Sequence, residues 1–432
     1  MNARQVALDV LSDVLKKQSY LNLELKRVLK PSWPLEDRRF ITALVNTTIE
    51  NLCRIDYILR QFTAGKRLHT VIRNILRLGV CQLAFFESVP VSAAVNESVK
   101  LAAGSNKPQL KGFVNAVLRN ISKNLGKITY PDRKKDTAGF FHVFYSYPKW
   151  LCEKYIADYG SDFTEQMLSY SADPSLTCIR VHNRERFCAT DQFLPAKYSQ
   201  DAYYIKNASD IENMPMFTDG TITVQGEASM LCVQAARIGG KSNVLDACAA
   251  PGGKSAYAAL LAEDGHVTAM ELHGHRAELI RKTFDRLHVR NADICVADAS
   301  RYEEDLKERY DVVMVDAPCS ALGLLYRKAD IKIFKNETDI AGLVNIQRKL
   351  LDTCCQYVKT GGTLFYSTCT IDRQENEENV QWFLDNHADF FGAELKDSLP
   401  DKLKPYAKKH ALQLFPHRDG IDGFFMARLQ KK

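Results

Sequence analysis

The chain has 432 residues, 46% hydrophobic and 25% charged, proportions that exclude a fibrous or disordered protein and predict two or three globular domains. No run of 18 apolar residues occurs and the opening MNARQVALDVLSDVLKK is amphipathic, so neither a membrane span nor a secretory leader is expected, and the cytoplasm is the expected location. The net charge of +6 is unevenly spread: residues 1–150 hold 24 Lys and Arg against 11 Asp and Glu, the remainder 34 against 41, and a basic front half facing a polyanion is the reading this favours.

Residues 1–125 read as successive amphipathic helices. VALDVLSDVL puts Val6, Val10 and Val14 on one face with Leu11 and Leu15, and VIRNILRLGVCQLAFF and GFVNAVLRNISKNL repeat the spacing with Arg73, Arg77, Arg119 and Lys123 on other faces. An all-helical bundle follows, then a polar, basic break at Gly126–Asp136 that reads as a linker. From Tyr147 to Thr221 the texture is mixed: YPKWLCEKYIADYG is a predicted helix stopping at Gly160, and LTCIRVHN a predicted strand. Beyond Thr221, strands (NVLDA, HVTAME, DICVADA, YDVVMVDAP, GGTLFYST) alternate with helices. Their mostly unbroken apolar character predicts a parallel sheet covered on both faces, the doubly wound α/β fold.

VLDACAAPGGKSAYAAL, from Val244 to Leu260, ends like a phosphate-binding loop. That loop needs a glycine five residues before its Gly-Lys, and the position is Cys248, so a nucleotide triphosphate is excluded. What is left is a strand ending in Asp246, a loop containing Pro251, two glycines and a helix, with a ligand expected beyond the strand's carboxyl end. Acidic residues close four consecutive strands: Asp246, Glu271, Asp298 and Asp316. Any one could merely cap a helix. Four in register favour a nucleoside, with Glu271 on the ribose hydroxyls and Asp298 on an exocyclic adenine amine. The proline loop and absence of a pyrophosphate cradle point from a dinucleotide toward S-adenosylmethionine.

The 12 cysteines include no CxxC pair, so no metal site and no disulfide framework is expected, and most should be small core hydrophobes. Two differ. Cys319, in VMVDAPCSALG, and Cys369, in LFYSTCTIDRQENEENV, fall at the fourth and fifth strand ends and should face one cleft. A free thiol is only slightly ionised near neutrality; the helix start after Cys369 would help and the acidic run Glu375, Glu377 and Glu378 would partly oppose it. A methyl donor, two thiols and a carboxylate suit methylation of pyrimidine carbon 5, which becomes nucleophilic only after a thiolate adds to carbon 6.

DACAAPGGKSA, DAPCSALG, ADIK, YSTCT and the closing DGFFMARL resemble the RNA cytosine-5 methyltransferase family, and DRRFITALV, LRLGVCQLAFF, AAVNESVKLA and GFVNAVLRN resemble the helical domain related to the antitermination factor NusB. The pairing is characteristic of bacterial members acting on small-subunit ribosomal RNA. The resemblance implies a NusB-like RNA-binding bundle over 1–138, a small connecting α/β subdomain over 145–220, and a Rossmann-like methyltransferase domain over 221–432. It implies Cys369 as nucleophile, Cys319 in product release and Asp316 at the base. Cys248, Ala249, Ala250, Pro251, Gly252, Gly253, Lys254, Glu271, Asp298 and Asp316 would line the S-adenosylmethionine site. A monomer without metal or membrane partner is the expectation. The same chemistry on transfer RNA, or a non-catalytic RNA-binding or ribosome-assembly protein, are the alternatives. Three positions depart from the family pattern: Glu271 stands for the usual Asp, Ala321-Leu322 for Gly-Thr, and Ala329 for Pro.

Overall fold

Val6, Val10 and Val14 recur every fourth residue and all are buried, so the first amphipathic repeat becomes helix α1 (Ala3–Lys17) with that face in a helical core. The computed structural model describes residues 2–30, 32–173, 175–206 and 211–432. It divides into two units, Met1–Ser169 with Lys328–Lys335, and Tyr170–Arg327 with Asn336–Lys432. In the first unit α1 is followed by α2 (Leu21–Val28), α3 (Leu35–Glu50), α4 (Leu52–Phe62), α5 (Thr70–Phe85), α6 (Val91–Gly104) and α7 (Lys111–Asn124). Ile41 and Leu44 of α3, Ile72 and Ile75 of α5, and Val114 and Leu118 of α7 share the core with α1. Then come α8 (Thr137–Phe144), α9 (Lys149–Tyr159) and α10 (Ser161–Ser169). The stretch expected to be a linker is packed on α4: the Tyr57 hydroxyl donates to the Thr129 carbonyl (2.9 Å), and the Tyr57 and Tyr130 rings stack 6.1 Å apart. No helix among the described residues is long and apolar enough to cross a membrane.

The second unit opens with a small antiparallel sheet. Its strands are β1 (Leu176–Val181), β2 (Phe193–Pro195), β3 (Ala202–Lys206) and, after the short helix α11 (Pro215–Thr218), β4 (Ile222–Val224), in the order β2-β3-β1-β4. Helix α12 (Glu227–Ala235) leads into the larger sheet. Its first part alternates as foreseen: β5 (Asn243–Asp246), α13 (Gly253–Leu261), β6 (His266–Glu271), α14 (Gly274–Leu287), β7 (Ala292–Val296) and β8 (Tyr310–Asp316). The chain continues through α15 (Ala329–Phe334), which packs with the helical unit, to α16 (Glu337–Cys354), β9 (Val358–Thr368) and α17 (Glu377–Asn386). It closes with β10 (Phe390–Gly392), β11 (Ala411–Leu414), α18 (Pro416–Asp419) and β12 (Phe424–Lys431).

The strand order is β10-β12-β9-β8-β5-β6-β7, with β11 paired to β12. The five central strands are parallel, but β12 runs antiparallel to β9, β10 and β11, so the sheet is mixed and not wholly parallel. Six consecutive residues of β12 are buried, which gives it the unbroken apolar look of a parallel core strand; direction is invisible in such a run. From β5 the chain goes to β6 on one side and later to β8 on the other. The topological switch point therefore lies at Asp246, where open sheets bind ligands. Asp246 pairs in register with Met314, so β8 carries Asp316 two residues past the end of β5.

Candidate active site

Adjacent parallel strands β8 and β9 pair Asp316 with Ser367, and just past that pair the chain supplies one thiol from each side. Cys319 and Cys369 are both half-buried, with Sγ atoms 3.2 Å apart in hydrogen-bond contact. The contact, followed by burial, pushes the Cys319 thiol well up, and either sulfur can be the donor in it.

Asp316 is held from two directions. Ser367 Oγ donates to its Oδ1 (2.9 Å), and Lys254 Nζ to its Oδ2 (2.6 Å). Lys254 is the second residue of α13, so the glycine loop delivers an ammonium to the end of β8. Burial alone would lower its pKa; the charge and hydrogen bond of Asp316, with lesser terms from Cys232 and Asp246, more than offset that and hold it charged. Its ammonium also lies 5.4 Å from the Phe424 ring centroid.

Of the four strand-end carboxylates, Asp246 is the most deeply enclosed, at 1% exposure. Ser255 Oγ donates to its Oδ2 (2.6 Å), whereas Oδ1 has no hydrogen-bond partner among the described residues. Burial, partly countered by Ser255, pushes its carboxyl up to about 6. Glu271 is also buried; its Oε1 accepts from the His273 amide (3.1 Å) and lies 3.4 Å from Arg276. Asp298 folds back on Ser300, accepting its N–H (3.0 Å) and hydroxyl (2.7 Å), which holds the carboxyl below its usual range. Two of the four thus make local turn or cap bonds as well as facing the ligand edge. Between β5 and α13 the loop runs Cys248, Ala249, Ala250, Pro251, Gly252, Gly253. The Cys248 side chain packs with the core, and Gly252 takes φ +99, a left-handed backbone that suits glycine.

Several supporting groups were not legible in advance. Glu375, which looked like part of a solvated acidic run opposing a thiolate, is fully buried. It accepts the Ser320 amide (2.9 Å), the Ser320 hydroxyl and Gln347 Nε2 (2.8 Å), and Gln347 also donates to the Pro318 carbonyl (2.9 Å). Glu375 is the clamp on the Cys319 loop. Helix α17 begins only at Glu377, and the turn before it is tied by Asn376 Nδ2 to the Thr370 carbonyl (3.0 Å). Nothing in the pattern ENEENV marks one glutamate as interior. Leu272 (54% exposed) and Val296 (58%) are bare apolar side chains at neighbouring strand ends, the latter in register with Glu271. For Leu272, a large apolar residue directly after the strand-end Glu271 was the available signal.

Comparison with known proteins agrees with this geometry. Residues 236–430 match the model of the 16S rRNA methyltransferase RsmB/F family and residues 1–123 that of the NusB family. A probable ribosomal RNA small subunit methyltransferase B of Bacillus subtilis (strain 168) is 34% identical, covering 100% of this chain and 99% of its own. The chain belongs to the RsmB/F methyltransferase family. A second relative so named, from Synechocystis sp., is 31% identical over the whole of both chains. The crystal structure of PH0851 has the same fold, with a TM-score of 0.81 at 23% identity over 100% of this chain and 99% of that one. The family's methyltransferase fold and NusB-type helical domain are therefore both present.

The loop after β8 yields a pair of tests with opposite signs. Ala321 has φ +58, a left-handed conformation in which glycine is unstrained. Ala321→Gly should stabilise by up to about 1 kcal/mol. At Gly323 an added Cβ would lie 2.0 Å from the Gly423 carbonyl oxygen, with no flexible atom to yield. Gly323→Ala should cost about 1–3 kcal/mol or more, both read by thermal unfolding. The buried Asp246 supplies a pH test. Because its folded pKa is raised, the folded chain binds the proton more tightly, and its stability contribution falls as pH rises from about 4 to about 6. Relative to wild type, Asp246→Asn should gain up to about 3 kcal/mol above pH 6 and lose that advantage below pH 4 in ligand-free melts.

Proposed function

We propose that the protein methylates carbon 5 of a cytosine in small-subunit ribosomal RNA, with S-adenosylmethionine as donor and a covalent bond between Cys369 and carbon 6 of the base. The observation that carries this reading is the 3.2 Å contact of two thiols beside the Lys254–Asp316 pair at one sheet edge. Inert core cysteines would have no reason to meet there. The substrate assignment follows the family and the names of the full-length relatives.

The residues present fit the donor. Asp246 offers a buried, unsatisfied carboxylate oxygen to a cationic ligand. Residues 248–254 line the loop, Glu271 serves the ribose, Asp298 and Asp316 lie at the next two ends, and Leu272 and Val296 give a purine an apolar rest. When bound, S-adenosylmethionine supplies an electrophilic methyl group.

Cys369, the nucleophile that the family resemblance implies, attacks as the thiolate after releasing its proton to solvent. A cytosine unstacked from the RNA, at a cost of a few kcal/mol, would receive it at carbon 6. Asp316, ion-paired with Lys254, accepts from the exocyclic amine of the base, or from N3 once that nitrogen carries a proton. After methyl transfer Cys319, having released its own proton to solvent, takes the carbon-5 proton; the C–H electron pair restores the ring double bond as the Cys369–carbon 6 bond breaks and Cys369 leaves as thiolate. The helical segment 1–138, with its excess of positive charge, serves as the RNA-docking part, 145–220 as the connecting subdomain and 221–432 as the catalytic part.

Methyl transfer from labelled donor to ribosomal RNA, with bisulfite sequencing of the product, tests the assignment. Cys319→Ser should stall as a covalent RNA–protein adduct visible on denaturing gels, and Cys369→Ser should abolish both adduct and turnover. Full activity in Cys369→Ser would overturn the mechanism; methylation of transfer RNA alone would overturn the substrate.

A further inference from the structure

Between α4 and α5 the helical unit has a pocket of about 200 Å³ whose lining includes Arg60, Lys66, Arg67 and Arg73. Arg60 lies in the last turn of α4, Lys66 and Arg67 on the connecting loop, and Arg73 one turn into α5. The chain bends between them through Ala64 and Gly65, both left-handed at φ +51 and +68, and the Lys66 amide donates to the Thr63 carbonyl (3.1 Å). No atom lies within 4 Å of a Cβ added at Gly65, so that glycine serves the turn and leaves its side of the pocket open.

The charges in this pocket are unbalanced. The carboxylate in its lining, Asp56, is already taken: Arg77 Nε donates to its Oδ1 (2.8 Å) and Arg77 Nη2 to its Oδ2 (2.6 Å). Among the described residues, none of the four lining cations is paired with a carboxylate or hydrogen-bonded through its side chain. Helix α5 adds to the excess, since its first turn holds no acidic residue and its N-cap His69 gives no side-chain bond. Arg73 therefore stands near the positive end of a helix dipole, where a cation is disfavoured. A single unpaired lysine on a helical surface is satisfied by water. Four cations converging on one concavity repel one another, and nothing within the fold offsets that repulsion. The pocket is smaller than those that enclose most drug-sized ligands, and the forked guanidinium donors of three arginines match phosphate oxygens. Arg60, Lys66 and Arg67 are exposed and Arg73 half-buried, so a phosphate belonging to a polymer can reach them without the rest of the polymer entering.

We propose that this pocket seats a phosphodiester group of the substrate RNA, fixing the register of the helical unit on the RNA backbone while reading no base. The inference rests on the RNA-substrate reading above. Its test uses the full chain, a transcript of small-subunit ribosomal RNA, and two double variants, Arg60→Gln with Lys66→Gln and Arg67→Gln with Arg73→Gln. At ~0.15 M salt each should raise the RNA dissociation constant about fivefold to tenfold, and the slope of its logarithm against the logarithm of salt should fall by about 1 to 2. A control that removes two charges outside the pocket, Lys16→Gln with Lys123→Gln, should stay within about twofold of wild type. The pocket variants should unfold at the same temperature as wild type or higher, because repulsion is relieved, and this separates lost binding from lost structure. Should one pair unfold early, the other decides. Equal weakening by the control and pocket pairs overturns the inference in favour of diffuse attraction, as does RNA binding at wild-type strength in the pocket pairs. Inorganic phosphate that raises the unfolding temperature of wild type alone at constant ionic strength, with RNA binding unchanged in the variants, shows a free anion as the occupant and overturns it too. If wild type does not bind the transcript, the proposed function fails first; if it binds and the pocket variants are silent, only the role of the pocket is lost.

Discussion

Two sulfurs 3.2 Å apart cannot both carry charge, and most of the catalytic unit can be understood from that constraint. The sulfurs come from residues 50 apart, and only the parallel pairing of β8 with β9, in the register that sets Asp316 against Ser367, brings the two chain ends together. Either sulfur can donate in this contact, so the two thiols form one hydrogen-bonded pair whose spacing is fixed by the sheet register.

Holding such a contact demands rigidity where apolar packing is scarce, since the mouth of the site must admit a polar base. The structure obtains it from satisfied polar networks. Glu375 is a buried carboxylate whose pKa burial raises, yet Ser320 and Gln347 give it three hydrogen bonds and so make it a clamp. The close approach of Gly323 to Gly423, with the Gly323 amide on the Cys369 carbonyl (3.1 Å), ties the Cys319 loop to the strand end opposite. Lys254 likewise links the glycine loop to β8. The first two ties join the Cys319 loop to the chain around Cys369, and the third joins the glycine loop to both through Asp316.

Much of this could be read from the sequence, for identifiable reasons. Strands β5, β6 and β8 end at Asp246, Glu271 and Asp316, where each apolar run stops at a carboxylate, and the P-loop was excluded by one missing glycine at Cys248. The juxtaposition of Cys319 and Cys369 followed from the rule that neighbouring parallel strands expose their carboxyl ends together. What stayed hidden depends on tertiary partners. The antiparallel strand β12 was not foreseen, since its unbroken buried run carries no alternation; Glu375 resembled its exposed neighbours; the break at Gly126–Asp136 read as a linker because polar residues that stack and bond, such as Tyr130, have no period. Asp330 and Lys332 appeared as a motif without a task, since nothing local reveals that both side chains point at helix ends more than 280 residues earlier in the chain.

The excursion between β8 and β9 then acquires a physical rationale. Cys369 follows directly on a strand and inherits its position from eleven residues of sheet pairing. Cys319 follows β8 by three residues and lies in a loop that leads to a 3-10 turn at Leu322–Leu324. A strand register is set by backbone pairing along its length, whereas this loop has only the polar ties that hold it, Glu375 on Ser320 and the Gly323 amide on the Cys369 carbonyl. The 3.2 Å sulfur contact thus depends on sheet pairing for Cys369 and on polar satisfaction for Cys319.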